Sequence, residues 1–520
     1  MEMDAYKQKV KKSLQDLINI GDLRQALNII SQYEQIIRDD VDIISMKSII
    51  YIETGEIELA EELLFDAIRR NIISSDIFYN LAYIFHTKGE NEQAVIFYKK
   101  SFETTSDLSL KKDINKILQS LNLNPLKIYK YRFSVVIPTR NSADTLKYTI
   151  KTCLNQKHDN FEIVISDNSS DDYNFTKELI KNFNDPRIKY YRPDEELAMT
   201  ENYNYAISKA LGEYVIMLGS DDGLLFHALS TLDSILPRTG IKLLHWRMAA
   251  YGWPNIKLKG YENFFGFPLN PKGTINYNEI DSNTIIKKVI NFETNYSILP
   301  MLYCNSVVHQ DLLEILIKNT GSVFKGYPPD VYSGFALAYI QNKYITVDLP
   351  MTIGGSSGNS IGIAYHHGKG NSNELKKDYI RLNNKAGLSL HNIIPDVKSL
   401  EAAVAESFLN AKDVLFPNDH ELCLDRKLLI QKCVEGLDKN DTTYSQELKK
   451  IESSLEDEPQ LRKWFKENYL MKPTTNNYSN KAKFSYKVGF ENGNLSLNSE
   501  DFNVKNVYDA ASLFSKITGW

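Results

Sequence analysis

From Tyr214 the chain runs through four apolar residues, Val215, Ile216, Met217 and Leu218, straight into Gly219, Ser220, Asp221, Asp222 and Gly223. An unbroken apolar run rich in β-branched residues and closed by glycine predicts a strand buried on both faces, with its carboxyl end opening into a loop. Similar runs lie upstream. Phe133 to Asn141 reads as a buried strand ending in a proline-containing loop, Phe161 to Asp172 as a strand with an acidic, hydroxyl-rich end, and Ile188 to Arg192 as a short third strand. Helical spacing separates them, over Ser142–Leu154, from Phe175 to Asn184, and over Met199–Leu211 with Gly212 as the stop. Strand and helix in alternation predict a mostly parallel sheet with polar residues gathered at the strand ends. Leu243 to Trp246 is a further apolar strand.

Before residue 122 the pattern is different. Gly21, Gly55 and Gly89 stand thirty-four residues apart, Ala26, Ala60 and Ala94 follow each by five, and Ile30, Leu64 and Tyr98 come four residues later. Positions that keep one period over three copies define a repeat. The glycine marks a tight turn between two helices, and the alanine lets the second helix approach its neighbour closely. Residues 8–105 resemble the tetratricopeptide repeat, with Ser13 where leucine is usual and no closing proline. The resemblance implies a concave face for a peptide or protein partner; a structural spacer is the plainer alternative. Lys111 to Leu121 reads as a closing helix. The expected domains are a repeat at 1–121, a linker at 122–131, an α/β domain at 132–370, a helical region at 371–475 with Ser399 as one cap, and a segment of unknown role at 476–520.

Composition narrows the class. A chain of 520 residues exceeds one ordinary core, and 42% hydrophobic with 24% charged residues suits a soluble globular protein. A net charge of -5 argues against general affinity for nucleic acid. No apolar run is long enough to cross a bilayer, and Asp4 with several lysines at the start lacks the core of a signal peptide, so a cytoplasmic location is expected. Cys153, Cys304, Cys423 and Cys433 are scattered without a Cys-x-x-Cys pair, which reads as reduced thiols.

The chemistry gathers at the strand ends. Adjacent acids such as Asp221 and Asp222 at a strand's carboxyl end suit a divalent cation with hard oxygen ligands, magnesium or manganese, although Asp-Asp-Gly is also turn chemistry. In order and spacing, Phe133 to Asp222, and less firmly onward to Asp330, the chain resembles a family 2 glycosyltransferase of the GT-A fold. The resemblance implies that Pro138, Thr139 and Arg140 line the nucleotide base, that Asp167 bonds the base edge, and that Asp221 lies near the ribose. It also implies that Asp222 holds the metal on the diphosphate, and it takes in Asn204. Gly219 departs from the pattern, since many relatives carry an acid there. Arg192 is a second candidate cation for the phosphates, or a partner of Asp194 or Glu195.

Inverting transfer needs a base on the acceptor hydroxyl, and Asp330, after Gly326-Tyr327-Pro328-Pro329, is the candidate, with an N-cap role as the alternative. His366 or His367, in a Gly- and Ser-dense stretch from Pro350 to Gly370, is a further candidate metal ligand. Trp246, Tyr251, Trp253, Phe264, Phe265 and Phe267 are aromatic enough to supply one or two acceptor contacts. The expectation is a metal-dependent inverting transferase that moves a sugar from a nucleotide-diphospho donor to a protein or glycan acceptor, with a partner on the repeat. A non-catalytic adaptor and a nucleotidyltransferase are the rivals; the latter calls for a glycine-rich loop after the first strand, where Pro138-Thr139-Arg140-Asn141 stands.

Overall fold

The computed structural model describes residues 2–170, 172–239, 241–256, 258–269, 275–360, 372–437, 439, 441–471 and 486–520. The chain forms two compact units, Met1–Ile128 and Tyr129–Trp520. No described helix is long and apolar enough to cross a membrane.

The first unit is built from helices alone: α1 (Glu2–Asn19), α2 (Leu23–Ile36), α3 (Val41–Glu53), α4 (Ile57–Arg69), α5 (Ser75–Thr87), α6 (Asn91–Thr104) and α7 (Leu108–Ser120). Gly21, Gly55 and Gly89 sit in the turns α1–α2, α3–α4 and α5–α6 with φ of 78°, 81° and 79°, a left-handed conformation that favours glycine. Each turn repeats one bonding scheme. The glycine N–H reaches back to the carbonyls of Ile18, Ile52 and His86, and the following N–H to those of Leu17, Tyr51 and Phe85. Ala26, Ala60 and Ala94 are fully buried, as are Ile30, Leu64 and Tyr98. Helix α7 buries Ile114 and Leu118 against the same core as Tyr98.

In the second unit the main sheet takes β1 (Tyr131–Thr139), β2 (Phe161–Asp167), β3 (Ile188–Tyr191) and β4 (Gly212–Met217) first. Helices α8 (Ala143–Leu154), α9 (Phe175–Phe183) and α10 (Met199–Ile207) connect them. Side chains alternate along β1. Val136 joins the core on one face, while Val135 and Ile137 join the other. After β5 (Gly223–Leu224) and α11 (Ala228–Thr239) come β6 (Leu243–Trp246), β7 (Ala249–Gly252), β8 (Phe264–Pro268) and β9 (Tyr277–Asp281). The chain continues through α12 (Ser282–Ile290), β10 (Ser306–His309), α13 (Gln310–Thr320), α14 (Pro329–Gln341), β11 (Lys343–Val347) and β12 (Thr352–Ser356). The sheet order is β3-β2-β1-β4-β10-β6-β11-β9. It is parallel from β3 to β4, but β10 runs against both of its neighbours, so the whole is mixed.

Among the described residues five helices follow: α15 (Ser372–Lys385), α16 (Leu400–Leu415), α17 (Arg426–Gly436), α18 (Tyr444–Ser453) and α19 (Pro459–Phe465). Ser399 caps α16 through the Ala402 N–H. Phe408, Leu429, Ile451 and Phe465 extend one of the sheet's two cores. The last segment adds β13 (Gly489–Glu491), β14 (Asn494–Asn498) and α20 (Val507–Thr518). Its strands complete a second sheet, β13-β14-β8-β7-β12-β5, and Val507, Ala510, Ala511 and Phe514 fill the core beside it.

One local expectation is corrected. Gly212 does not stop α10, which ends at Ile207; it opens β4. A Cβ there would lie 2.5 Å from the Ser134 nitrogen, and the Gly212 N–H donates to Ser134 Oγ at 2.8 Å. Glycine is needed for the close approach of two strands, not for a helix cap.

Candidate functional site

The carboxyl ends of β1 and β2 lie side by side, with Pro138 in register with Ser166 and Thr139 with Asp167. Proline is tolerated inside this central strand for a local reason. Val136 accepts from the Leu218 N–H, and Pro138, two residues on, faces the same side after β4 has ended, where no ladder donor is required. Thr139 Oγ1 is buried with no hydrogen-bond partner among the described residues.

Asp167 is fully buried. Its Oδ1 accepts from the Ser169 N–H at 3.1 Å and the Ser169 hydroxyl at 2.6 Å, and its Oδ2 accepts from Tyr190 Oη at 2.8 Å and Arg192 Nη1 at 3.3 Å. Arg192 also donates to the Ser169 and Ser170 carbonyls.

Arg140 is held from three sides. It donates to the Asn168 carbonyl, to Glu196 at 2.8 Å and to Asp378 of α15 at 2.8 Å. This bonding with Arg140 holds the Glu196 carboxyl below the usual range. The guanidinium thus fastens α15 to the end of β1. Asn204 stands apart from these residues. Its carboxamide donates to the Phe324 carbonyl at 2.9 Å and accepts from the N–H groups of Val323 and Phe324, which holds the chain just ahead of Asp330.

The loop after β4 carries the acid pair. Asp222 is buried, and its Oδ2 accepts from the Gly219 N–H at 2.6 Å and the Cys304 thiol at 2.8 Å, its Oδ1 from the Gly355 N–H at 2.7 Å. Asp221 accepts through Oδ2 from the Ser357 N–H at 3.1 Å and the Ser360 hydroxyl at 2.7 Å. Its backbone carbonyl accepts from Trp253 Nε1 at 2.9 Å. Burial, with Asp221 beside it, pushes the Asp222 carboxyl up to about 7, and burial raises Asp221 as well. Among the described residues no lysine, arginine or histidine pairs with either acid.

The donor set suits a hard divalent cation that takes one or two carboxylates and completes its shell with phosphate oxygens and water. Three protein donors already occupy Asp222. Asp221 Oδ1 accepts from no other described residue, so it is the more open oxygen of the pair. No described group of three or more His, Cys, Asp or Glu side chains forms an all-protein cage.

Asp330 is the second residue of α14, whose N-cap position is Pro328, so it does not cap the helix. Burial raises its pKa. Cys304 donates to Asp222, and Leu302, two residues earlier, donates to Ser333, whose hydroxyl bonds the Asp330 carbonyl, so residues 302–304 bring the acid loop and the head of α14 together.

His366 and His367 lie outside the described residues. Trp246, Tyr251, Phe265 and Phe267 are core residues, while Trp253 holds the acid loop from behind. Sequence reasoning missed Cys304, Gly355, Ser357 and Ser360 as partners of the acids. Density in Gly and Ser from Pro350 onward was the one available signal; nothing near Cys304 announced its thiol.

Residues 134–234 match the family model Glycosyl transferase family 2. Among curated relatives, the GalNAc(5)-diNAcBac-PP-undecaprenol beta-1,3-glucosyltransferase of Campylobacter jejuni is 41% identical over 105 residues, 19% of this chain and 33% of that one. The UDP-Glc:alpha-D-GlcNAc-diphosphoundecaprenol beta-1,3-glucosyltransferase WfgD of Escherichia coli is 26% identical over 115 residues, 22% of this chain and 45% of that one. The chain therefore spans less than half the length of these relatives. The S. aureus TarS structure overlaps 65% of this chain and 55% of its own at 15% identity, with a TM-score of 0.36. Over residues 134–234, from β1 into α11, the chain carries a family 2 glycosyl transferase domain.

Proposed function

We propose that the chain transfers a sugar, with inversion, from a nucleotide-diphospho sugar to an acceptor hydroxyl. The observation that carries this reading is the meeting of the acid pair after β4, in which Asp222 is buried and Asp221 partly exposed, with a separate half-buried acid at the head of α14, inside a unit that holds a family 2 glycosyl transferase domain. In this reading the ends of β1 and β2 receive the nucleotide, with the orphaned Thr139 hydroxyl and the Asp167 carboxylate as its polar contacts. Arg192 keeps Asp167 oriented, and Arg140 keeps the surrounding loop closed.

A divalent cation, manganese or magnesium, would be held by Asp221 with Asp222 beside it and would neutralise charge on the leaving diphosphate. Asp330 takes the proton from the acceptor hydroxyl as that oxygen attacks the anomeric carbon, while the nucleoside diphosphate leaves from the opposite face. Burial, by raising the Asp330 pKa, makes it a stronger base than an exposed aspartate.

Both relatives compared above are named for sugars carried on undecaprenyl diphosphate, which supports a lipid-linked or surface glycan as acceptor over a protein. The name of WfgD supports a uridine diphospho sugar as the first donor to try. The helical unit, with its tetratricopeptide-like turns, would then dock an assembly partner or the acceptor's carrier. The test is a transfer assay with a panel of UDP-sugars and undecaprenyl-diphosphate-linked acceptors, in which proton NMR reads the anomeric configuration of the product. An inverted glycoside is expected. Retention would remove Asp330 as base, and no transfer to any glycan would turn the search to protein acceptors.

A further inference from the structure

The acid pair and Asp330 come from parts of the chain more than a hundred residues apart, and one short segment joins them. Leu302, Tyr303 and Cys304 precede β10. The Cys304 N–H donates to the carbonyl of Met217, the last residue of β4, at 2.8 Å, and its thiol donates to Asp222 Oδ2 at 2.8 Å. Its carbonyl accepts from Trp246 Nε1 at 3.1 Å and from the Thr352 hydroxyl. With all of these made, Cys304 holds φ at 62°, a left-handed conformation that a non-glycine residue keeps only when its surroundings enforce it.

On the other side, the Leu302 N–H donates to Ser333 Oγ at 3.0 Å, and that hydroxyl donates to the Asp330 carbonyl at 2.6 Å. Tyr303 fills the space between. Its hydroxyl lies 2.3 Å from where a Cβ at position 219 would stand, and its ring stacks on Tyr203 with centroids 5.9 Å apart. Glycine at 219 is therefore the residue that admits the Tyr303 phenol beside Asp222.

We propose that Tyr303 and Cys304 are positioning residues. Through them a continuous line, from Asp222 to the Cys304 thiol, along the backbone to Leu302, and through Ser333 to Asp330, sets the donor-side acids against the base. This rests on the transferase reading of the site. It gives the thiol a purpose that its burial and the absence of a disulfide leave open. It also places the two ends of the line under separate control: Cys304 acts on the cation and donor side, and Ser333 on the base side.

The experiment uses the full chain and the variants Cys304→Ala, Cys304→Ser, Tyr303→Phe and Ser333→Ala. Manganese alone is titrated against each, with the free ion followed by electron paramagnetic resonance, and kcat and donor KM are then measured for transfer. Loss of a hydrogen bond to a charged group is worth about tenfold or more in affinity. Cys304→Ala is expected to weaken manganese and raise donor KM about tenfold, and Cys304→Ser, whose hydroxyl donates the same bond, to recover most of that loss. Tyr303→Phe, which keeps the ring stack, is expected to change manganese affinity less than Cys304→Ala. Ser333→Ala is expected to leave manganese and donor KM within about twofold while kcat falls about tenfold.

A serine variant no better than alanine, or Ser333→Ala with unchanged kcat, overturns the proposal. Should Cys304→Ala fail to fold, Cys304→Ser and Ser333→Ala still decide it, since both keep the volume nearly constant. A wild-type chain that binds neither manganese nor UDP overturns the transferase reading and this proposal together. Binding that Cys304→Ala leaves unaltered overturns the proposal alone.

Discussion

The two halves of the main sheet are built in different ways. From β3 to β4 the strands are parallel and come from one unbroken stretch, residues 131–217, in which each helix returns the chain to the same end of the sheet. From β10 to β9 the strands come from scattered parts of the chain, and the neighbouring second sheet reaches to residues 489–498 for its outer strands. The first half pairs Asp167 with Arg192 and Arg140 with Glu196 from within its own stretch. The second half supplies what the acid loop lacks: Cys304, Trp253, Gly355, Ser357 and Ser360. The geometry at the ends of β1 and β2 is thus a property of a contiguous fold, whereas the geometry of the acids is set by long-range contacts.

The largest expected effect falls on the second half. Asp330→Asn should lower kcat by about 10²- to 10⁴-fold, the usual worth of a general base, while UDP binding in the presence of manganese stays within about twofold. Steady-state kinetics beside a binding titration would read both numbers.

A pH experiment comes next, because the second half leans on a buried histidine. The His227 ring lies against Phe514 and Trp520 of the C-terminal segment, and its Nε2–H donates to the Pro350 carbonyl at 3.0 Å. Burial, with Lys157 nearby, lowers its pKa to about 4. A histidine kept neutral in the fold adds stability that is whole above its unfolded pKa and is lost as pH falls from about 6.5 to about 4. The full loss is about 3 kcal/mol. His227→Phe should flatten the fall of Tm over that window, read by thermal unfolding from pH 7 to pH 4.

The joint between the halves can be probed by steric means. Gly219→Ala places a Cβ 2.3 Å from Tyr303 Oη and 2.8 Å from Asp222 Oδ2. Overpacking of this kind costs about 1–3 kcal/mol. Adding Tyr303→Phe removes the closer clash and should return part of the loss in a double-mutant cycle followed by denaturant unfolding.

The smallest effect belongs to the first half. Arg140→Ala removes half-exposed ion pairs to Glu196 and Asp378, worth about 1 kcal/mol. Its signature is faster amide exchange in α15 with nearly unchanged global stability.

This contrast also explains what the sequence made legible. Leu243–Trp246 was readable as a strand to the residue, and the thirty-four-residue glycine period read directly as three identical helix turns, because both signals are local. Asp167, Asp221 and Asp222 were visible as acids at strand ends for the same reason. Gly212 misled because glycine after a helix and glycine at a tight strand approach look alike in a sequence. Asn204 was singled out by position, yet its amide serves the chain ahead of Asp330, which lies more than a hundred residues away. The Cys304 thiol, the Trp253 indole and the reason for Gly219 depend on neighbours that no spacing rule brings together.

The most direct test of the account is a calorimetric titration of UDP into the full chain with and without manganese, in the wild type and in Asp221→Ala and Asp222→Ala. Binding is expected to require manganese in the wild type and to weaken at least about tenfold in both variants, since each loses a carboxylate from the cation's surroundings. Equal, metal-independent binding in all three proteins, or no binding in any, would contradict it.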